Sequence, residues 1–283
     1  MVAEVVTSIA GEHATVTTLM GAGVDPHLYR PTRTDVAAIM EADMVFYSGL
    51  LLEGKMTDTL VRAASGGRVV WPITELIPED SLLTPEAMEG HHDPHVWMDP
   101  LSWRQTIEVV RDKLIERVPA ARVEFEAAAA AYEADLDRLH AYADRVLASI
   151  PADQRVLVTS HDAFNYFGRR YNLEVVGIQG ISTESEAGVR DVERLVDLIV
   201  TRRIRAVFVE TTVSDRNIRA LIDGAAARGH TVVIGGSLFS DAMGAPATYE
   251  GTYLGMIDHN ATTVSRALGG TAPDRGMDGR LGR

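Results

Sequence analysis

PAARVEFEAAAAAYEADLDRLHAYADRVLASIP, residues 119–151, is the stretch on which the architecture turns. Between its bounding prolines it holds no glycine and no further proline, and Tyr132, Leu136, Leu139, Ala143, Val146 and Ile150 recur at steps of three and four. Apolar residues on that period predict one amphipathic helix. About 28 helical residues at about 1.5 Å each reach roughly 42 Å, more than a small lobe is wide, so the helix is expected to join two lobes. An ordinary surface helix of the second lobe is the alternative.

On both sides of this stretch short apolar runs alternate with helical patterns. Before it, Val16–Met20, Met44–Tyr47 and Arg68–Trp71 read as strands, and Arg33–Ala42 and Leu101–Val118 as helices. The second helix has Asp99 to cap it, Pro100 at its first position, and Trp103, Ile107, Val110, Leu114 and Val118 on one face. After it, Arg155–Thr159, Leu173–Ile178, Ala206–Glu210 and Thr231–Ile234 are β-branched runs, with helical patterns at Val189–Arg202, Asp215–Arg228 and Tyr249–Leu268. Strands alternating with helices imply parallel sheets. The expected fold is α/β: a βα lobe over residues 1–118, a single long rigid helix over 119–150, and a second βα lobe over 151–270, followed by a Gly/Asp/Arg-rich tail over 271–283 that reads as disordered.

The formal net charge of −13 leaves no basic stripe to neutralise phosphates, which argues against a nucleic-acid partner. The chain has no cysteine, so disulfides, thiolate ligands and cysteine nucleophiles are excluded, and any metal must be held by nitrogen and oxygen. No run of about 18 apolar residues is present to span a bilayer as a helix.

The chemistry concentrates in a repeated tripeptide, Asp25-Pro26-His27 and Asp93-Pro94-His95. Proline fixes φ, so the histidine behind it is presented from a stiff turn, and imidazole is the commonest protein metal ligand. One such tripeptide is an ordinary polar turn; two in matching contexts point to paired ligands. His161 follows the run Arg155–Thr159, and Asp241 follows Thr231–Ile234. Both fall beyond the carboxyl ends of predicted parallel strands, where α/β proteins place their ligands. Successive candidates lie 68, 66 and 80 residues apart, too far for a local finger, so two ligands come from each lobe and the site is expected in the cleft. Three imidazoles and one carboxylate suit Zn²⁺ best, while Mn²⁺ usually takes more oxygen.

Other polar residues have plainer readings beside the functional one. Glu210 ends a buried-looking strand, either orienting a ligand histidine or pairing with a nearby arginine. His91 and His92 sit in a loop, solvated or lending an accessory metal contact. His13, His140 and His230 read as surface residues, and His259 as a helix-face residue. Ser160-His161-Asp162 is not a hydrolytic triad, because consecutive residues cannot face one another in that geometry.

The segments GAGVDPHLYRPT, SGLLLEGKM, DPHVWMDP, VLVTSHDAFNYFGRRYNLEVVGIQG, FVETTVSDRNI and GGSLFSDAMG resemble, in order, the TroA/ZnuA type of metal receptor. These are the solute-binding proteins of zinc and manganese ABC importers. The resemblance spans about Val2 to Leu268 and implies two βα lobes on one rigid helix, with His27, His95, His161 and Asp241 as metal ligands. It also implies Zn²⁺ or Mn²⁺ as transported cargo, an ABC permease as partner, a monomeric receptor, and a periplasmic or cell-surface location. His161 stands where many manganese receptors carry a carboxylate, and the long His-rich loop of many zinc receptors is reduced to His91-His92-Asp93; both features are closer to the TroA branch.

Met1–Ala10 already reads as the family's first helix, with Val2, Val5, Val6 and Ile9 on one face. The expectation is a start inside that helix, with an export signal and a leading strand upstream. The rival functions are a metal-dependent hydrolase using the same residues, and an adhesin on the same fold. A hydrolase would need an open coordination position, and the chain has neither HExxH nor a G-x-S-x-G elbow. The chain is therefore expected not to be an enzyme.

Overall fold

The computed structural model describes Met1–Gly282, and it separates into two compact units, Met1–Asp137 and a second unit starting at Arg138. In the first, α1 (Val2–Ala10) buries Val5, Val6, Ile9 and Ala10 and packs on α5 (Gln105–Arg117). Next come α2 (Arg33–Glu41), β1 (Met44–Tyr47), α3 (Thr57–Ser65) and β2 (Val69–Pro72). β1 and β2 pair in parallel from Met44↔Val69 to Tyr47↔Pro72, with α3 as the crossover. Thr32 starts α2 because its hydroxyl accepts the Asp35 N–H at 3.2 Å while Asp35 accepts the Thr32 N–H at 2.6 Å. Such a capping box contributes about 1 kcal/mol. Ile39, Met56, Leu60 and Ala63 form the core beneath this sheet.

Two expectations in this unit fail. Val16–Met20 is not a strand: Thr17 and Thr18 are exposed, and Leu19 and Met20 pack instead on the Ile39 cluster. β-branched residues make a strand only where the backbone finds a ladder. The helix expected over 101–118 is two helices, α4 (Pro100–Trp103) and α5, interrupted at Arg104. Its start is as expected, with Pro100 at the first position and Asp99 accepting the Leu101 N–H at 3.0 Å and the Ser102 hydroxyl at 2.9 Å.

The long helix is α6 (Arg122–Ala148), 27 residues, with Pro119–Ala121 as a 3₁₀ turn ahead of it. The boundary between the two units falls inside α6, at Asp137 and Arg138, rather than at the helix ends. All six apolar positions that announced it are buried.

The second unit contains β3 (Val156–His161), α7 (Asn165–Tyr171), β4 (Glu174–Gln179), α8 (Val189–Arg202), β5 (Ala206–Glu210), α9 (Arg216–Ala227), β6 (Val233–Leu238) and α10 (Tyr253–Ala267). β3 pairs with β4 and β5 with β6, both in parallel, and β3 lies beside β5. Val156, Val158, Leu195, Ile199, Ile218 and Leu221 pack in one core under α8 and α9. Gly177 of β4 is required by proximity: a Cβ there would stand 2.6 Å from the Asp162 backbone nitrogen. β6 runs on through Gly235 and Gly236 to Leu238, so Asp241 follows it by three residues, not the seven expected after Ile234.

The tail read as disordered over 271–283 is held in place as far as it is described; only Arg283 lies outside the described residues. The buried Asp258 carboxylate on α10 accepts the Met277 N–H at 2.9 Å, Ser149 Oγ accepts the Thr271 N–H at 2.7 Å, and Leu281 is buried. Polar, glycine-rich composition concealed an anchor supplied by α10. Among the described residues no helix is long and apolar enough to cross a membrane.

Candidate metal centre

In the first unit the two Asp-Pro-His turns share one local mechanism. Asp25 Oδ1 accepts the His27 N–H at 2.9 Å, and Asp93 Oδ1 accepts the His95 N–H at 3.0 Å. An aspartate that bonds the backbone two residues on makes an Asx-turn, and the intervening proline stiffens it. Asp93 Oδ1 also lies 2.8 Å from His95 Nδ1, which fixes Nδ1 as donor and leaves the Nε2 lone pair facing away. His27 Nε2 and His95 Nε2 stand 3.3 Å apart, with the rings inclined at 53°. Both histidines and Asp93 are buried, and Trp97 meets the His95 ring edge-on at 5.1 Å.

In the second unit the site residues lie at or just beyond the carboxyl ends of strands. His161 is the last residue of β3, and Glu210 the last of β5. Glu210 Oε1 accepts the His161 N–H at 2.8 Å, while Oε2 accepts from His161 Nδ1. The orienting role anticipated for Glu210 is thus what its geometry performs; the arginine pairing is not seen. His161 Nε2 is 3.3 Å from Asp241 Oδ2, and all three side chains are buried. Burial alone would push His161 down, but the Asp241 and Glu210 carboxylates outweigh it and hold its pKa well above the usual 6.5.

Among the described residues the buried donors suited to a metal are His27, His95, His161 and Asp241. His91 is exposed, and His92 is 2.9 Å from the Thr84 hydroxyl; neither is among those donors. Outside them, His13 meets Phe125 edge-on, His140 stacks on Tyr171, His230 Nε2 donates to Ile204 O at 2.7 Å, and His259 Nε2 donates to Ser237 O at 2.9 Å. The second function of Asp93, on the ring as well as the backbone, went unread in the sequence, although the two-residue Asp-to-His spacing is the signal for it.

Buried imidazole and carboxylate donors, presented by two stiff turns and by the carboxyl side of parallel strands, are a set that could hold a metal ion on an α/β fold. The chain belongs to the ZnuA family, described as zinc-uptake complex component A, periplasmic, whose model matches residues 1–267. The manganese-binding lipoprotein MntA of Bacillus subtilis (strain 168) is 45% identical over 268 residues, 94% of this chain and 87% of that protein. The solved structure of the periplasmic zinc binding protein TroA from Treponema pallidum is 45% identical, with a TM-score of 0.92 over 95% of this chain and 96% of that one. Fe(III)-bound YtgA from Chlamydia trachomatis is 26% identical, with a TM-score of 0.85 over 95% of each chain.

Proposed function

We propose that His27, His95, His161 and Asp241 together bind one divalent transition-metal ion, Zn²⁺ or Mn²⁺, as cargo, and that the protein delivers it to the membrane permease of an ABC importer. The observation that carries this reading is a pair of distances. The two imidazole nitrogens of the first unit and the nitrogen and oxygen of the second are each 3.3 Å apart. A tetrahedral shell with bonds of about 2.0–2.1 Å has edges of roughly 3.3–3.4 Å between ligand atoms. Each pair therefore has the span of one edge of such a shell.

Four protein ligands complete a tetrahedron and leave no open position for an activated water, so the chain acts as a receptor and not as a hydrolase. Membership in a family of periplasmic uptake components supports the receptor over an adhesin. The names of its relatives, a manganese-binding lipoprotein and a periplasmic zinc binding protein, support both the cargo class and a place outside the cytoplasm, in the periplasm or at the cell surface. The receptor works as a monomer, with the permease as partner.

Elemental analysis of protein purified without added metal, followed by competition between Zn²⁺ and Mn²⁺, tests this. One equivalent of ion, lost in His95→Ala and Asp241→Ala, is the expected result. Full occupancy in either variant would overturn the ligand set.

A further inference from the structure

We infer that Asn260, on α10, is a positioning residue for the metal site, because its side chain clamps the backbone of the loop that presents Asp241. The inference rests on the reading of Asp241 as a ligand and adds a residue that touches no metal.

Asp241 lies three residues beyond the end of β6, on a segment outside the strands. Such a segment places a ligand atom accurately only if something else holds its backbone. Asn260 is fully buried, and both ends of its amide are engaged by one residue. Its Oδ1 accepts the Phe239 N–H at 3.0 Å, and its Nδ2 donates to Phe239 O at 2.7 Å. The carboxamide thus reproduces the two bonds that a neighbouring strand would make, two residues before the ligand. Only asparagine combines acceptor and donor at that reach: aspartate lacks the donor, and leucine lacks both.

The neighbouring bonds point the same way. His259, adjacent on α10, donates to Ser237 O at 2.9 Å and meets Phe239 edge-on. Ser240 Oγ lies 3.2 Å from Thr212 Oγ1. Beyond the ligand, the Gly244 N–H donates to Glu250 O at 2.8 Å and folds the loop back. Asp241 is therefore bracketed on both sides, and Asn260 engages both backbone groups of one residue of the loop.

The test uses the full chain as wild type, Asn260→Ala, Asn260→Asp, Asp241→Ala and the Asp241→Ala/Asn260→Ala double variant. Far-ultraviolet circular dichroism monitors the fold, competition titration gives Zn²⁺ and Mn²⁺ affinities, and the visible absorption of bound Co²⁺ reports ligand geometry. Asn260→Ala is expected to weaken binding by about 10- to 100-fold and to alter the Co²⁺ spectrum. Asn260→Asp, which sets a carboxylate oxygen against the buried Phe239 carbonyl, should also weaken binding, and Asn260→Ala should cost nothing further in the residual affinity of Asp241→Ala. Unchanged affinity and spectrum in Asn260→Ala, or an equal loss with and without Asp241, would overturn the inference while the ligand set stands. Unchanged binding in Asp241→Ala would overturn the ligand set itself, and the inference with it. Should Asn260→Ala fail to fold, Asn260→Asp decides by the same comparisons.

Discussion

Glu210 holds His161 at two points, its backbone N–H and its ring Nδ1, across 49 residues of sequence. One carboxylate thereby joins the carboxyl ends of β3 and β5 and also sets which ring nitrogen is free to bind. With Asp241 on the other side, the imidazole retains a proton well above its usual range.

That proton makes metal binding pH-dependent. An ion on His161 Nε2 must displace it, so apparent affinity falls as pH falls below the raised pKa, and binding below that pKa releases a proton. The metal-free protein behaves oppositely: the raised pKa contributes stability that is complete below about 6.5 and is lost as pH rises through the folded value. Calorimetric titration in buffers of different ionisation enthalpy counts the released protons. Glu210→Gln should lower that count and weaken binding by about 10- to 100-fold; an unchanged count would contradict the role given to this carboxylate.

Ligand loss should be visible as lost stabilisation. At free metal about a thousand times Kd, binding to the folded state alone adds about 4 kcal/mol. Thermal melts with and without Zn²⁺ should show that rise in wild type and little of it in His95→Ala. An equal rise in both would remove His95 from the site.

Glu53 makes a second, separate pH effect. Its carboxylate accepts the Ser48 and Gly49 N–H groups at 2.7 and 3.2 Å, pinning a turn in which Gly49, Leu50 and Leu51 all have positive φ. Burial pushes its pKa up from 4.5 to about 7, against those bonds. The fold therefore prefers the protonated form, and its stabilisation, complete below about 4.5, is lost as pH rises to about 7. The difference is about 3 kcal/mol. Urea unfolding of metal-free wild type and Glu53→Gln between pH 4.5 and 8 should give curves whose separation changes by about that amount; parallel curves would rule the effect out.

Packing along α6 sets a third contrast. Leu136 is fully buried and Val123 is 73% exposed. Leu136→Ala should cost about 2–5 kcal/mol and Val123→Ala less than about 0.5 kcal/mol, both read from denaturant midpoints. Comparable losses would mean that the two faces of the helix are not distinguished as their burial implies.

Much of this was legible locally. The 3.6-residue period announced α6, α8 and α9, the Asp-Pro-His repeat announced two stiff turns, and Asp99-Pro100 announced a helix start, because each signal depends on a few neighbouring residues. Where the reading failed, the missing information was a distant partner. Val16–Met20 had strand composition but no ladder, β6 ran through two glycines because Phe208 and Thr263 pack where their side chains would stand, and the tail was anchored by Asp258.

The sequence by itself determined the α/β class, the donor types, and the two turns that present His27 and His95, since φ restriction, side-chain chemistry and helical period are properties of short segments. Only the tertiary structure decided that Asp93 and Glu210 hold ring nitrogens, that His161 keeps its proton, and that Asn260 clamps the loop leading to Asp241. Those outcomes depend on burial and on hydrogen bonds made across the fold, and both come into being only when the chain has folded.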